Sequence, residues 1–352
     1  MRHDKINMNG NDCRFLRACR REEVDCTPVW FMRQAGRYLP EYRKLREKHT
    51  LLEICADPEL AKEVTLQPIR RFDLDAAIIF ADILLPLKCF GVEFDFVEGE
   101  GPRIFHPVRG AQDLERLGVG NPKQDLSFVF EAIRLVRDAL DSKVALIGFA
   151  GAPFTVASYV VEGSYSRNFL QTKLLMYKHP EVWRVLMETI SEVTIRYLEA
   201  QIEAGAQAIQ LFDSWVGCLQ PDDYLNYVLP YSRRIFESLK QYNIPLIHFG
   251  TGSATFLELM QEAGGTVMSV DWRLNLDQVW ERLGDSVAVQ GNLDPVAIFG
   301  NSIELEKKVD IILDQARGRQ GHIFNLGHGF LPQTPIENVE KIVKWVHEKS
   351  KN

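Results

Sequence analysis

Eight short, near-continuously apolar runs recur along the 352-residue chain. They are VWFMR (29–33), AAIIFAD (76–82), ALIGFAG (145–151), AIQLFDS (208–214), IPLIHFG (244–250), TVMSVDW (266–272), VAVQGNL (287–293) and HIFNLGHG (322–329). Runs that are apolar on both sides of the pleat predict parallel strands covered on both faces. Between them the apolar spacing lengthens to that of amphipathic helices, predicted over 180–204, 221–241, 253–263, 275–283, 302–317 and 336–349. Pro180 opens the first of these and Gly205 closes it, while Ser253, after two glycines, reads as an N-cap. Strand and helix alternating eight times over this length predict an α/β fold, a (β/α)8 TIM barrel with long βα-loop insertions. It is read as one domain over 1–352 with a short N-terminal extension, about 1–14. A doubly wound open sheet is the alternative.

Two connections exceed a minimal loop. After the second run, GVEFDFVEGEGPRIFHPV predicts a β-hairpin turning at EGEG, followed by a helix near 127–140. After the third comes APFTVASYVVEGSYSRNFLQTKLLMYKHP, long enough to build a lid or cleft wall. Such a wall implies a substrate larger than a phosphosugar.

Composition narrows the partners. A formal net charge of −7 argues against a nucleic-acid or membrane-surface binder, which needs a broad basic face. The start MRHDKINMNG lacks the apolar core of a signal peptide and no apolar run approaches a membrane span, so the expected location is the cytoplasm. Six cysteines, at 13, 19, 26, 55, 89 and 218, form no C-x-x-C pair and read as reduced structural thiols. The eight histidines include no H-E-x-x-H, and no metal is expected.

Barrel enzymes carry their chemistry at the C-terminal ends of the strands. Those ends read Arg33, Asp82, Gly151, Asp213-Ser214, His248, Asp271, Asn292-Asp294 and His328. Polar residues can simply mark where strands meet water, a reading that explains any one position better than all eight. Asp82 ends an apolar run and precedes ILLPL, so its carboxylate needs a partner. It either pairs with an arginine or faces a cavity, where it would stabilise positive charge developing on a ligand. Arg33 and Arg37 follow the first run, with Gly36 between them and Pro40 beyond, which points to an irregular loop that binds an anion. Arg43 and Arg46, in PEYRKLREK, read as a solvated helix face paired with Glu41 and Glu47. The pieces GFAGAPFT, HFGTGS and NLGHGF match neither dinucleotide nor P-loop fingerprints, and Ser214 lacks the G-x-S-x-G context of a nucleophile.

At these residues the chain resembles the uroporphyrinogen decarboxylase family along almost its whole length. The matching stretches are PVWFMRQAGRYLPEYR, AIIFADIL, GFAGAPFTVASYVVEG, FDSW, HFGTGS, QGNLDP and FNLGHGFLPQTP. The resemblance implies a cofactor-free barrel enzyme, usually a homodimer with its two clefts facing. Its reaction removes carbon dioxide from the four acetate side chains of uroporphyrinogen III, giving coproporphyrinogen III. Carried over residue by residue, it makes Arg33, Gln34, Ala35, Gly36 and Arg37 a cradle for substrate carboxylates, with Arg46 a further contact. It sets Asp82 under the macrocycle, accepting pyrrole N–H groups, and Tyr159, Ser214 and His328 in the cleft. Arg33, Tyr159, His328 or a water held by the latter two are the candidates for handling the proton. One rival is the related methylcobalamin:coenzyme M methyltransferases, whose zinc is held by a His-x-Cys pair and a later Cys. Here His248-Phe249-Gly250 and His328 stand at those places, and both thiolates are missing. The other rival is a non-catalytic porphyrin-binding protein on the same barrel.

Overall fold

Seven of the eight apolar runs are strands of one parallel sheet in the computed structural model, which describes residues 12–97 and 101–351. The strands are β1 (Ala76–Ile78), β2 (Phe94–Val97), β3 (Gly101–Ile104), β4 (Ala145–Gly151), β5 (Ala208–Asp213), β6 (Leu246–Gly250), β7 (Val267–Val270), β8 (Ala288–Leu293) and β9 (His322–Leu326). Their order in the large sheet is β1-β4-β5-β6-β7-β8-β9, with β2 and β3 forming a separate antiparallel hairpin. Every residue of β4, β6, β7, β8 and β9 is buried, because helices cover the outer face and the neighbouring strands fill the inner one.

The first run departs from expectation. Residues 29–33 form no regular strand; Val29 makes a single parallel bridge to Phe324 of β9. The segment nevertheless closes the ring. On one side Phe324 N donates to Pro28 O (2.9 Å) and Trp30 N to Phe324 O (3.4 Å); on the other, Asp75 N donates to Val29 O (3.0 Å). Side chains take the remaining backbone donors: Asp75 Oδ2 accepts from Val29 N (2.7 Å), Gln34 Oε1 from Phe31 N (2.9 Å) and Asn325 Oδ1 from Met32 N (3.1 Å). Backbone groups satisfied by side chains cannot also build a ladder, which is why the strand is irregular. The Trp30 indole donates across the barrel interior to Gln290 Oε1 (2.9 Å), whose amide donates to Gln210 and Ser269, so the segment is held in register from inside as well. A closed ring replaces the open-sheet alternative: the chain folds as a (β/α)8 barrel with an irregular first strand.

Asp75 also accepts from Arg14 (2.6 Å) and lies 2.8 Å from His347 Nε2, fastening the helices Arg14–Cys19 and Ile336–Lys349 to the bottom of the barrel. The extension expected over about 1–14 falls mostly outside the described residues; Cys13 is already buried and Arg14 opens a helix. All six cysteines are free.

The helices follow the apolar periodicity, with two corrections. The helix predicted over 221–241 is divided into Pro221–Tyr227 and Leu229–Leu239, because Pro230 lacks an N–H and its ring would strike the carbonyl four residues back. Ser253 is not an N-cap. Its hydroxyl donates to Gly250 O (3.0 Å) and a 3-10 turn, Ser253–Phe256, precedes the helix Leu257–Ala263. The insertion after β4 forms two helices, Pro153–Glu162 and Leu170–Lys178. Strands β2 and β3 flank residues 98–100, so the expected turn at EGEG lies largely outside the described residues. Among the described residues no helix is long and apolar enough to cross a membrane.

Candidate active site

A cavity of about 400 Å³ opens at the C-terminal ends of the strands. Eight of the ten candidate residues line it: Arg33, Ala35, Gly36 and Arg37 after the irregular strand, Asp82 after β1, Tyr159 from the insertion, Ser214 after β5 and His328 after β9. Ile78, Phe149, Phe212 and Phe249 supply apolar walls from the barrel, and Phe96 and Pro102 of the hairpin close one side.

Asp82 is half-buried among these walls. Its Oδ1 accepts from Leu84 N (2.8 Å), and among the described residues it forms no ion pair. Removal from water pushes its pKa up to about 6; the Leu84 N–H and the positive charge of Arg33 pull the other way without cancelling the effect. Of the two readings open for Asp82, the structure favours the cavity-facing carboxylate over the salt bridge.

Arg33 and Arg37 likewise have no acidic partner among the described residues. Arg33 holds a left-handed backbone conformation (φ 59°) that directs its side chain toward the cavity. The guanidinium is exposed to the cavity space, yet the surrounding protein restricts its hydration enough to lower its pKa; Arg37 adds to this and Tyr159 and Asp82 oppose it. Arg43 braces the loop by donating to the carbonyls of Arg37 and Tyr38 (both 3.3 Å).

Two expected contacts lie elsewhere. Gln34 is buried in the wall, with Oε1 accepting from Phe31 N and Nε2 donating to Ala76 O (3.0 Å); it ties the loop to β1 and does not line the cavity. Arg46 is exposed, donates to His49 O (2.7 Å), and is likewise absent from the lining. The pairing expected along this helix face is corrected as well: Glu41 is bound by Arg71, thirty residues away, rather than by Arg43.

The remaining polar groups have defined protonation. Burial pushes the Tyr159 phenol up to about 12, although a hydrogen bond with Trp215 works in the opposite direction. The Trp215 indole is a donor only, so Tyr159 accepts from it and keeps its own proton for the cavity. His328 is lowered to about 4 by burial, then by the charge of Arg33, and is neutral at pH 7. Gly329 N donates to His328 Nδ1 (2.8 Å), which leaves the imidazole proton on Nε2.

Other polar strand ends serve the fold. The ring of His248 turns outward, its Nδ1 3.2 Å from the carbonyls of both Met260 and Gly264. Asp271 accepts from Gly252 N and Arg273 N, and Asn292 donates to the carbonyls of Asp271 and Leu274. Among the described residues no three His, Cys, Asp or Glu side chains converge as a metal site would require.

Residues 11–349 match the family model described as uroporphyrinogen decarboxylase (URO-D). The chain belongs to this family. A uroporphyrinogen decarboxylase of Sorangium cellulosum (strain So ce56) is 56% identical over 334 residues, spanning 95% of each chain. One of Carboxydothermus hydrogenoformans is 53% identical, spanning 96% of each. Among solved structures, a methyltransferase from Methanosarcina mazei superposes with a TM-score of 0.77 at 22% identity, over 96% of this chain and 98% of that one. At that identity the likeness shows a shared barrel.

For a uroporphyrinogen decarboxylase family member, the site contains residues that reading strand ends passes over. Trp215 adjoins Ser214 in FDSW and packs against Tyr159, Tyr165 and Phe169, with ring centroids 5.6–6.1 Å apart, so it joins the insertion to β5. Thr155 donates to the buried Asp213 (2.7 Å) and accepts from Trp215 N (3.2 Å), setting the indole's position. The signal available in the sequence was an aromatic residue next to a polar strand end.

Proposed function

We propose that this protein removes carbon dioxide from the four acetate side chains of uroporphyrinogen III, leaving methyl groups and giving coproporphyrinogen III, without a metal or organic cofactor. The observation that carries the reading is one carboxylate, Asp82, facing an apolar-walled cavity whose rim holds two arginines, none of the three forming an ion pair among the described residues. A ligand with pyrrole N–H groups at its centre and carboxylates around its edge complements both.

Cleavage of the bond to the carboxylate leaves an electron pair that needs a sink. Protonating the ring carbon that bears the acetate makes the pyrrole cationic, and the bond breaks as carbon dioxide leaves and its electrons neutralise that cation. A proton on the exocyclic carbon and loss of the ring proton complete the methyl group, for a net uptake of one proton per acetate. Asp82 accepts the N–H groups of the ring that becomes positive, an interaction worth several kcal/mol where water is scarce (about 3–4). Arg33 and Arg37 hold the carboxylates. Tyr159 and His328, neutral at pH 7, donate hydrogen bonds that orient the acetate. Burial moves Arg33 toward greater acidity and Tyr159 away from it, and both remain candidates for the acid.

The test is anaerobic incubation of the purified protein with uroporphyrinogen and a chelator. Hepta- to pentacarboxylate intermediates followed by coproporphyrinogen support the reading. Binding without release of carbon dioxide would replace it with a porphyrin-binding module, and activity only with zinc and methylcobalamin would replace it with a methyltransferase. The reading includes a homodimer in the cytoplasm, formed from a chain that is one barrel domain; a single-chain mass by light scattering would remove the dimer from it.

A further inference from the structure

We infer that Gly329 is a positioning residue for this reaction, seating the Arg33 side chain over the cavity and fixing the proton of His328 on Nε2. The inference rests on the roles proposed above for Arg33 and His328. Gly329 follows His328 at the end of β9, and its backbone does not need glycine, since its φ lies outside the left-handed region. Its lack of a side chain matters for another reason. A Cβ built there would lie 2.5 Å from Arg33 Cγ and 3.0 Å from Arg33 Cβ, and would overlap Cδ.

Of these, Cβ is fixed by the backbone, and Cγ and Cδ can clear a methyl group only by rotation about χ1, which carries the guanidinium away from its place. Arg33 sits in a tight turn in which Gln34 N donates to Phe31 O (3.0 Å), and Phe330 N donates to Met32 O (3.1 Å), tying the two loops together on either side of the contact. Among the described residues the Arg33 guanidinium has no acidic partner to restore its place once pushed. Its position therefore depends on packing against residue 329. The N–H of the same glycine donates to His328 Nδ1 (2.8 Å), so one residue sets the geometry of a cation and the tautomer of the neighbouring imidazole.

The test compares Gly329→Ala, Arg33→Gly and the double variant in the full chain. Arg33→Gly removes the three atoms nearest the new methyl and suits the local φ of 59°. Gly329→Ala is expected to lower kcat/KM at least tenfold, toward the level of Arg33→Gly, and to lower Tm. The double variant should turn over no more slowly than Arg33→Gly and regain that Tm, because alanine is otherwise acceptable at this φ. Gly329→Ala within twofold of wild type beside an impaired Arg33→Gly would overturn the inference alone, as would a double variant that keeps the full Tm loss of Gly329→Ala. If Gly329→Ala fails to fold, recovery in the double variant still decides the point. An active Arg33→Gly would overturn the role of Arg33 and the inference with it. For the second half, ¹⁵N NMR of labelled histidine should show His328 with a protonated Nε2 above about pH 5 in wild type and Gly329→Ala alike. A protonated Nδ1 would overturn that half.

Discussion

Replacing Asp82 by asparagine separates what the carboxylate costs the fold from what it does in the cavity. The substitution keeps the shape and the acceptor for Leu84 N but removes the charge. In the folded protein the carboxyl group titrates near 6 instead of 3.8. At about 1.4 kcal/mol per pH unit, that difference corresponds to about 3 kcal/mol. Because the group is only half-buried, this is an upper bound, and a gain of about 1–3 kcal/mol is expected for Asp82→Asn at pH 7.5. The pH dependence fixes the sign. Below 3.8 the group is protonated whether folded or unfolded and costs nothing; as pH rises from 3.8 through 6 the unfolded chain ionises first and stability is lost. The urea midpoint of the variant should therefore exceed that of wild type at pH 7.5, with the gap closing toward pH 4. Turnover should fall about 10²–10³-fold, the loss expected when a preorganised charge is removed from a developing ion. In wild type, kcat/KM should rise with pH through about 6, since the ionised form is the active one. Equal or lower stability of the variant at pH 7.5 would refute the view that burial without a partner sets the state of Asp82. A folded, substrate-binding Asp82→Asn with near wild-type turnover would refute its part in stabilising the cation.

Arg37→Ala should raise KM for uroporphyrinogen about tenfold, in line with the loss of a charged hydrogen bond, and should release partly decarboxylated porphyrinogens; chromatography of the products checks both. Trp215→Phe keeps an aromatic ring within the Tyr159, Tyr165 and Phe169 cluster but removes the N–H that orients the Tyr159 hydroxyl. It should lower kcat by up to about tenfold with KM and Tm little changed, and an unaltered kcat would make Trp215 a packing residue only. Asp75→Ala leaves the buried Val29 N without its acceptor and takes one of two carboxylate partners from Arg14, which keeps Asp25, and should cost about 1–3 kcal/mol in urea denaturation.

The barrel was readable because β4 and the strands from β6 to β9 are buried on both faces, so their sequence is continuously apolar. The first strand has the same pattern but a different bonding scheme. Its partners include the side chains of Asp75 and Asn325, 46 and 293 residues away, and local sequence carries no sign of such pairing. The same distance effect misled the reading of Glu41, which looked like a helix-face partner of Arg43 and instead meets Arg71. Within the site, charged strand-end residues were visible because polarity after an apolar run is conspicuous. Gln34 is less legible for the opposite reason: its neighbours in the motif face the cavity, while its own amide is consumed by the backbone. Thr155 and Trp215 act through other side chains, which no spacing rule anticipates.

The charges around the cavity make sense only with a ligand in view. An acidic protein that holds Asp82, Arg33 and Arg37 on one cavity would gain from pairing them, since the half-buried Asp82 carboxylate is poorly solvated when alone. They do not pair. Asp82 Oδ1 accepts from Leu84 N instead, and Arg33 reaches the cavity from a left-handed turn in the loop after the first strand. The electrostatic attraction between Arg33 and Asp82 is felt in both side chains' protonation but does not become a salt bridge. A simple anion would satisfy the arginines and leave Asp82 repelled; a simple cation would do the reverse. Relieving both at once takes a molecule with N–H donors inside and carboxylates outside. Protonation of its ring then strengthens the contact with Asp82 while leaving those with the arginines unchanged, the differential binding that lowers a barrier rather than merely tightening a complex.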